Sequence, residues 1–267
     1  MNQNDTRYSL AKRLLAPGLM IMTLALLPGC ANKTPGEPLQ VASSQYDSGG
    51  DAPEKKDYVE PVNRGIFKFN EVVDGLLIRP AAYMYTHAVP EFGQTAIKNV
   101  LTNLNAPVTF LNSVLQADGA NASRTLTRFV VNSTLGIAGV FDVASTAGIQ
   151  KEHKKDFGQT LGVYGVGTGS YMVLPILGPS DVRDTFGYVV DIFTDPFNYI
   201  FTTDEAFGRA AAQGLVRRAD LMPLTDQVHR DSFDPYATFR SIYLQNRQRV
   251  IRDYLGSDSN AEKYHGK

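Results

Sequence analysis

A mainly α-helical fold is predicted by three observations. Apolar residues recur at helical spacing through most of the chain beyond residue 58. Prolines fall at the ends or first turns of those runs, as at Pro61, Pro80, Pro90 and Pro235. The β-branched, glycine-punctuated texture that disfavours helix is confined to the middle of the chain.

The chain opens with a basic start (Arg7, Lys12, Arg13), an apolar run from Leu14 to Leu27, and Leu27-Pro28-Gly29-Cys30. Residues 1–29 have the layout of a secretory signal peptide, with an apolar core too short to span a bilayer. Cys30 is the only cysteine, and it stands where cleavage would make it the new N-terminus. This arrangement resembles a bacterial lipobox, with Pro28 an unusual residue before the glycine. An acyl anchor on Cys30 contributes roughly 0.8 kcal/mol per buried methylene, so two or three chains hold firmly. With that thiol lipidated, neither a disulfide nor a thiolate zinc site can form. The net charge of −1 and pI near 6.4 give no electrostatic case for nucleic-acid binding.

Residues 30–57 are rich in Pro, Gly, Ser and charge, and read as a flexible tether behind the lipid. The helical domain is expected over 58–255. Its first helix opens at Pro61 and carries Val62, Ile66, Phe69, Val73, Leu76 and Leu77 within one arc of about 100°. Asn63, Asn70 and Asp74 form a narrow polar stripe beside that arc, with Phe67 and Ile78 beyond it. Two readings of the stripe stand level. It lines a wet groove within greasy surroundings, or its asparagines bond to neighbouring helices.

Arg79-Pro80 is expected to break this helix. A second helix runs from Pro80 to about Val89, a third from Glu91 to Leu104, and a shorter one from Pro107 to Gln116. Gly119 to Leu135 is longer, with Leu126, Phe129, Val130 and Leu135 as its apolar residues. Gly136 to Ile149 reads as a mobile, hairpin-like segment with Gly136, Gly139 and Gly148 as hinge candidates. Phe157 to Leu174 holds five glycines and is expected to be irregular. Helices return over Ser180–Phe193, Asp204–Leu221 and Pro235–Leu255, with Asp204 and Asp234 as N-caps. The last of these sets Arg240, Arg247, Arg249 and Arg252 opposite Tyr236, Phe239, Tyr243, Val250 and Tyr254, a pattern suited to lipid headgroups and equally to an ordinary surface helix. Residues 256–267 form a polar tail.

Catalytic signatures are missing from the sequence. The run Gly162-Val-Tyr-Gly165-Val-Gly167-Thr-Gly169 has neither dinucleotide nor P-loop spacing. No G-x-S-x-G occurs, and His87, His153, His229 and His265 are scattered through polar contexts. Glu152-His153-Lys154-Lys155-Asp156 reads as a solvated charge run. No metal-ligand spacing is present, and no enzyme activity is expected.

Several stretches, in order, resemble the MlaA (VacJ) lipoprotein family. They are Glu60-Pro61-Val62-Asn63-Arg64-Gly65-Ile66-Phe67-Lys68-Phe69-Asn70, then Arg79-Pro80, and Arg128-Phe129-Val130-Val131-Asn132-Ser133-Thr134-Leu135-Gly136. Phe141-Asp142-Val143-Ala144 follows, then Asp156 to Gly167, Tyr171-Met172-Val173-Leu174-Pro175, Arg183-Asp184 and Asp234-Pro235-Tyr236. The resemblance covers residues 58–255. It implies a ring-like, doughnut arrangement of amphipathic helices lying in the inner leaflet of the outer membrane, on its periplasmic face. It further implies removal of mislocalised phospholipids from the outer leaflet through a central amphipathic channel. A trimeric porin and a periplasmic MlaC-like carrier are the implied partners, phospholipid the transported ligand, and no cofactor is needed. In family terms Asn63, Asn70 and Asp74 become channel-lining candidates, Phe67 and Phe69 control the channel helix, and Gly136–Ile149 matches a mobile hairpin. A structural lipoprotein that scaffolds a porin complex without conducting lipid is the alternative.

Overall fold

The computed structural model describes the backbone of residues 59–265 and the side chains of residues 59–255. The signal peptide, Cys30 and the tether lie outside the described residues. Helix α1 (Glu60–Val73) takes Pro61 in its first turn, where a missing N–H costs nothing. It passes through a π-helical turn (Asp74–Ile78) into α2 (Arg79–Ala88). Arg79-Pro80 therefore does not break the rod. The wider turn sits just ahead of the proline, and the Arg79 N–H reaches back five residues to the Asp74 carbonyl.

Helix α3 (Glu91–Leu115) runs unbroken through Pro107, where two helices were expected. An interior proline costs about 3 kcal/mol. Packing along α4 (Gly119–Thr134) outweighs that, through a buried row of Asn103, Ala106, Thr109, Asn112 and Ser113. Residues 135–149 form turns and the single-turn α5 (Val143–Thr146), not paired strands.

Helix α6 (Phe157–Val163) occupies a stretch expected to be irregular. Its glycine at 158 exists for close approach to α7 (Val182–Thr194): a Cβ on Gly187 would lie 2.2 Å from the Gly158 nitrogen. Between them, β1 (Tyr171–Leu174) and β2 (Gly178–Asp181) pair antiparallel, with Tyr171 opposite Asp181 and Leu174 opposite Gly178. The short α8 (Phe197–Ile200) precedes α9 (Thr203–Asp231), which is longer than expected and passes through Pro223. Its cap is Thr202 rather than Asp204, in a reciprocal capping box with Glu205. Helix α10 (Pro235–His265) starts as expected, with the Ala237 N–H donating to the Asp234 carboxylate at 3.2 Å, and extends into the predicted tail.

The packing closes on itself. α1 lies on β1, β2 on α7, α7 on α6, α6 on α3, α3 on α9, and α9 on α2, which returns through the π turn to α1. This circuit agrees with the ring-like helical arrangement that the family resemblance implied. Helix α10 touches α6, β2 and α9. Among the described residues, buried apolar side chains form two small clusters, one of Ala82, Tyr85, Val216 and Ala219, the other of Tyr171, Val173 and Tyr236. Among the described residues, no helix is long and apolar enough to cross a membrane.

Candidate functional site

The polar stripe of α1 is bonded to protein along its length. Asn63, 2% exposed, donates to the Tyr171 carbonyl at 3.1 Å and accepts the Val173 N–H at 3.0 Å. Two turns on, Asn70 donates to the Leu174 carbonyl at 2.9 Å and accepts the Ile176 N–H at 2.7 Å. Asp74 takes a two-pronged contact from Arg218 of α9, at 2.6 and 2.8 Å. These contacts tie the stripe to a hairpin and to α9, while Asn70 and Asp74 stay partly exposed. Phe67 is half-buried against Tyr236 and Phe239, at centroid distances of 5.7 and 6.0 Å. Phe69 is 51% exposed.

Elsewhere, between α3, α4, α6 and α7, most of the buried groups are polar. Asn112 donates to Asp191 at 2.9 Å and accepts from Thr160 at 2.9 Å. Gln116 donates to Thr160 at 2.9 Å, and the Lys155 ammonium bonds both Gln116 and Asp118 at 2.9 Å. Asn121 adds bonds to Ser113 and the His153 main chain. Four helices are stitched by a continuous chain of amides, hydroxyls and charges, each satisfying its neighbour. Burial pushes the Asp191 carboxyl up to about 6, against the opposing bonds from Phe157 and Asn112.

A second polar knot lies between α4 and the 135–149 turns. Arg128 grips Asp142 at 2.8 and 2.9 Å and reaches Glu152 at 2.6 Å, and Asn132 donates to Asp142 at 3.1 Å. Burial pushes the Asp142 carboxyl up, but bonds from Ser145, Arg128 and Asn132 prevail and hold it at about 2. Asn99, Asn103, Thr125 and these groups line a cavity of about 20 Å³, the size of one water.

The hinge candidates differ. A Cβ on Gly136 would meet the Phe141 carbonyl oxygen at 2.3 Å, and one on Gly139 (φ +92°) would meet Asn103 at 2.6 Å. Gly148 (φ +80°) faces open space.

Two expectations are corrected here. Glu152 to Asp156 is not a solvated run: Lys155 is buried under the Tyr254 ring at 3.7 Å, and Glu152 pairs with Arg128. Nor is the arginine face of α10 uniformly outward: Arg249 and Arg252 are exposed, Arg240 lies over the Tyr171 ring at 5.7 Å, and Arg247 is half-buried. It is clamped between Asp156, at 2.8 and 2.5 Å, and Asp184, which also accepts from Tyr243 at 2.6 Å.

The exterior reverses the usual polarity. The whole apolar arc of α1 is bare or half-bare, with Leu76 72% exposed. Leu126 and Val130 of α4 and Leu135 just past its end are exposed, as are Phe186, Val189 and Phe193 of α7. Large apolar residues are thus exposed on three separate helices, α1, α4 and α7, which is unusual for a domain surrounded by water. The buried counterpart on α4 is Asn121, Thr125, Arg128 and Asn132, a polar stripe at helical spacing that apolar periodicity alone passed over.

Comparison with known proteins accords with this architecture. The MlaA lipoprotein family profile matches residues 55–250. The Escherichia coli intermembrane phospholipid transport system lipoprotein MlaA is 35% identical over 206 residues, covering 76% of this chain and 81% of that protein. Its Haemophilus influenzae namesake is 31% identical, covering 87% and 89%. An uncharacterised protein of Rickettsia typhi is 34% identical, covering 73% and 78%. A solved structure described as "Structural basis for maintenance of bacterial outer membrane lipid asymmetry" superposes with a TM-score of 0.67 at 32% identity, over 74% of this chain and all of that one. A helical circuit with a polar interior, matched over most of its length by family, relatives and structure, places this chain in the MlaA lipoprotein family.

Proposed function

We propose that this protein is an outer-membrane lipoprotein that removes mislocalised phospholipid from the outer leaflet and passes it to a periplasmic MlaC-like carrier. Acylation at Cys30 anchors it, the helical unit lies in the inner leaflet from the periplasmic side, and a trimeric porin stands beside it. The observation that carries this reading is the inverted polarity: amides, hydroxyls and paired charges inside, Leu, Val and Phe outside. The names of the Escherichia coli and Haemophilus influenzae relatives support the same lipid chemistry.

A phospholipid crossing between leaflets must bring its charged head past hydrocarbon, which is costly unless polar groups accompany it. Polar groups along the wall of a helical annulus supply them, while the mutually bonded interior holds that wall in shape. Helices satisfy their own main-chain bonds, so no closed barrel is required. No bond is made or broken, and no cofactor takes part; direction comes from the carrier downstream.

Deleting the gene and labelling outer-leaflet phospholipid from outside the cell tests this. Phospholipid is expected to accumulate there and to return to normal when the wild-type chain, but not a Cys30→Ser variant, is restored. Normal asymmetry in the deletion strain defeats the reading.

A further inference from the structure

The tip of the β1–β2 hairpin is built in a way that packing within the protein does not explain. The Leu177 N–H bonds the Pro175 carbonyl at 2.7 Å, closing a three-residue turn around Ile176. Ile176 stands at φ +66°, a left-handed conformation that a β-branched residue avoids. Its side chain earns no burial for this strain: Ile176 is 63% exposed and Leu177 54%. The conformation is held from outside the turn, by Asn70 of α1 bonding both Leu174 and Ile176. From Tyr171 to Ser180 no residue is charged. Phe69, beside Asn70 on α1, and Leu76 and Leu77 beyond it are exposed as well.

We propose that Pro175–Leu177 is a finger that contacts phospholipid acyl chains, and that Asn70 is the positioning residue holding it in this pose. An uncharged tip offering only hydrocarbon has acyl chains as its chemical complement, and the two Asn70 bonds offset the strain of presenting it. The inference rests on the leaflet location proposed above and adds a specific contact to it.

The chain contains no tryptophan, so single introduced tryptophans report cleanly. Full-length lipidated Leu177→Trp and Leu76→Trp variants are placed in phosphatidylcholine vesicles brominated on the acyl chains. Both are expected to be quenched. Adding Asn70→Ala is expected to abolish quenching at position 177 while leaving position 76 quenched. Adding Ile176→Gly to that double variant restores it, because glycine holds a positive φ without help. Quenching at 76 but not at 177 overturns the finger and leaves the leaflet location standing. Quenching at neither overturns both. Quenching at 177 that survives Asn70→Ala overturns the positioning role.

Discussion

Asn63 spends both ends of its carboxamide on the main chain of β1. Replacing it with alanine leaves a buried carbonyl and a buried N–H without partners, at a cost of about 2–3 kcal/mol. Chemical unfolding of Asn63→Ala in detergent is expected to show that loss, and an unchanged midpoint would contradict the bracing role. The titrating residues pull in opposite directions. Asp191 has its carboxyl raised from 3.8 to about 6, so its contribution is full below pH 4 and erodes as pH rises through 6. Asp142, held at about 2, contributes above pH 4 and loses that contribution as pH falls toward 2. Asp191→Asn is expected to remove about 2–3 kcal/mol of the stability lost between pH 4 and 6, leaving the acid limb intact. Measuring unfolding free energy from pH 3 to 7 checks both limbs. In the sequence, the asparagine stripe of α1 was visible as a stripe, but its partners were not. They lie more than a hundred residues away, and no local pattern encodes such a distance.

Helix existence was legible at the scale of elements, because 3.6-residue periodicity survives whichever face is buried. Helix ends at prolines were less so. Pro107 and Pro223 sit inside helices because tertiary packing outweighs a local cost of a few kcal/mol. For α4 the apolar residues were visible but the face they take was not: Leu126 and Val130 are exposed, as is Leu135 just past its end. Glycine in α6 reflects crowding rather than irregularity. Gly187→Ala, with a Cβ 2.2 Å from the Gly158 nitrogen, is expected to cost about 1–3 kcal/mol. Gly208→Ala in α9 meets open space and is expected to stabilise by about 0.5–1 kcal/mol. Thermal unfolding of the two variants side by side separates these signs.

Considered whole, the molecule has its cohesion in hydrogen-bonded networks joining α3, α4, α6 and α7, and in Arg247 tying α10 to α6 and α7. The ring-like circuit was implied by family resemblance and not by periodicity, since closure depends on contacts such as α9 with α2 that no single segment announces. So polar an interior has a calorimetric consequence. Melting it uncovers more amide and hydroxyl than melting an apolar core would, and polar exposure lowers the heat capacity where apolar exposure raises it. The increment on unfolding is expected to fall below the ordinary 12–15 cal/mol/K per residue (roughly), giving a shallow stability dome. Such a protein would keep nearly constant firmness from a cold habitat to a warm one, because little of its strength comes from shunning water.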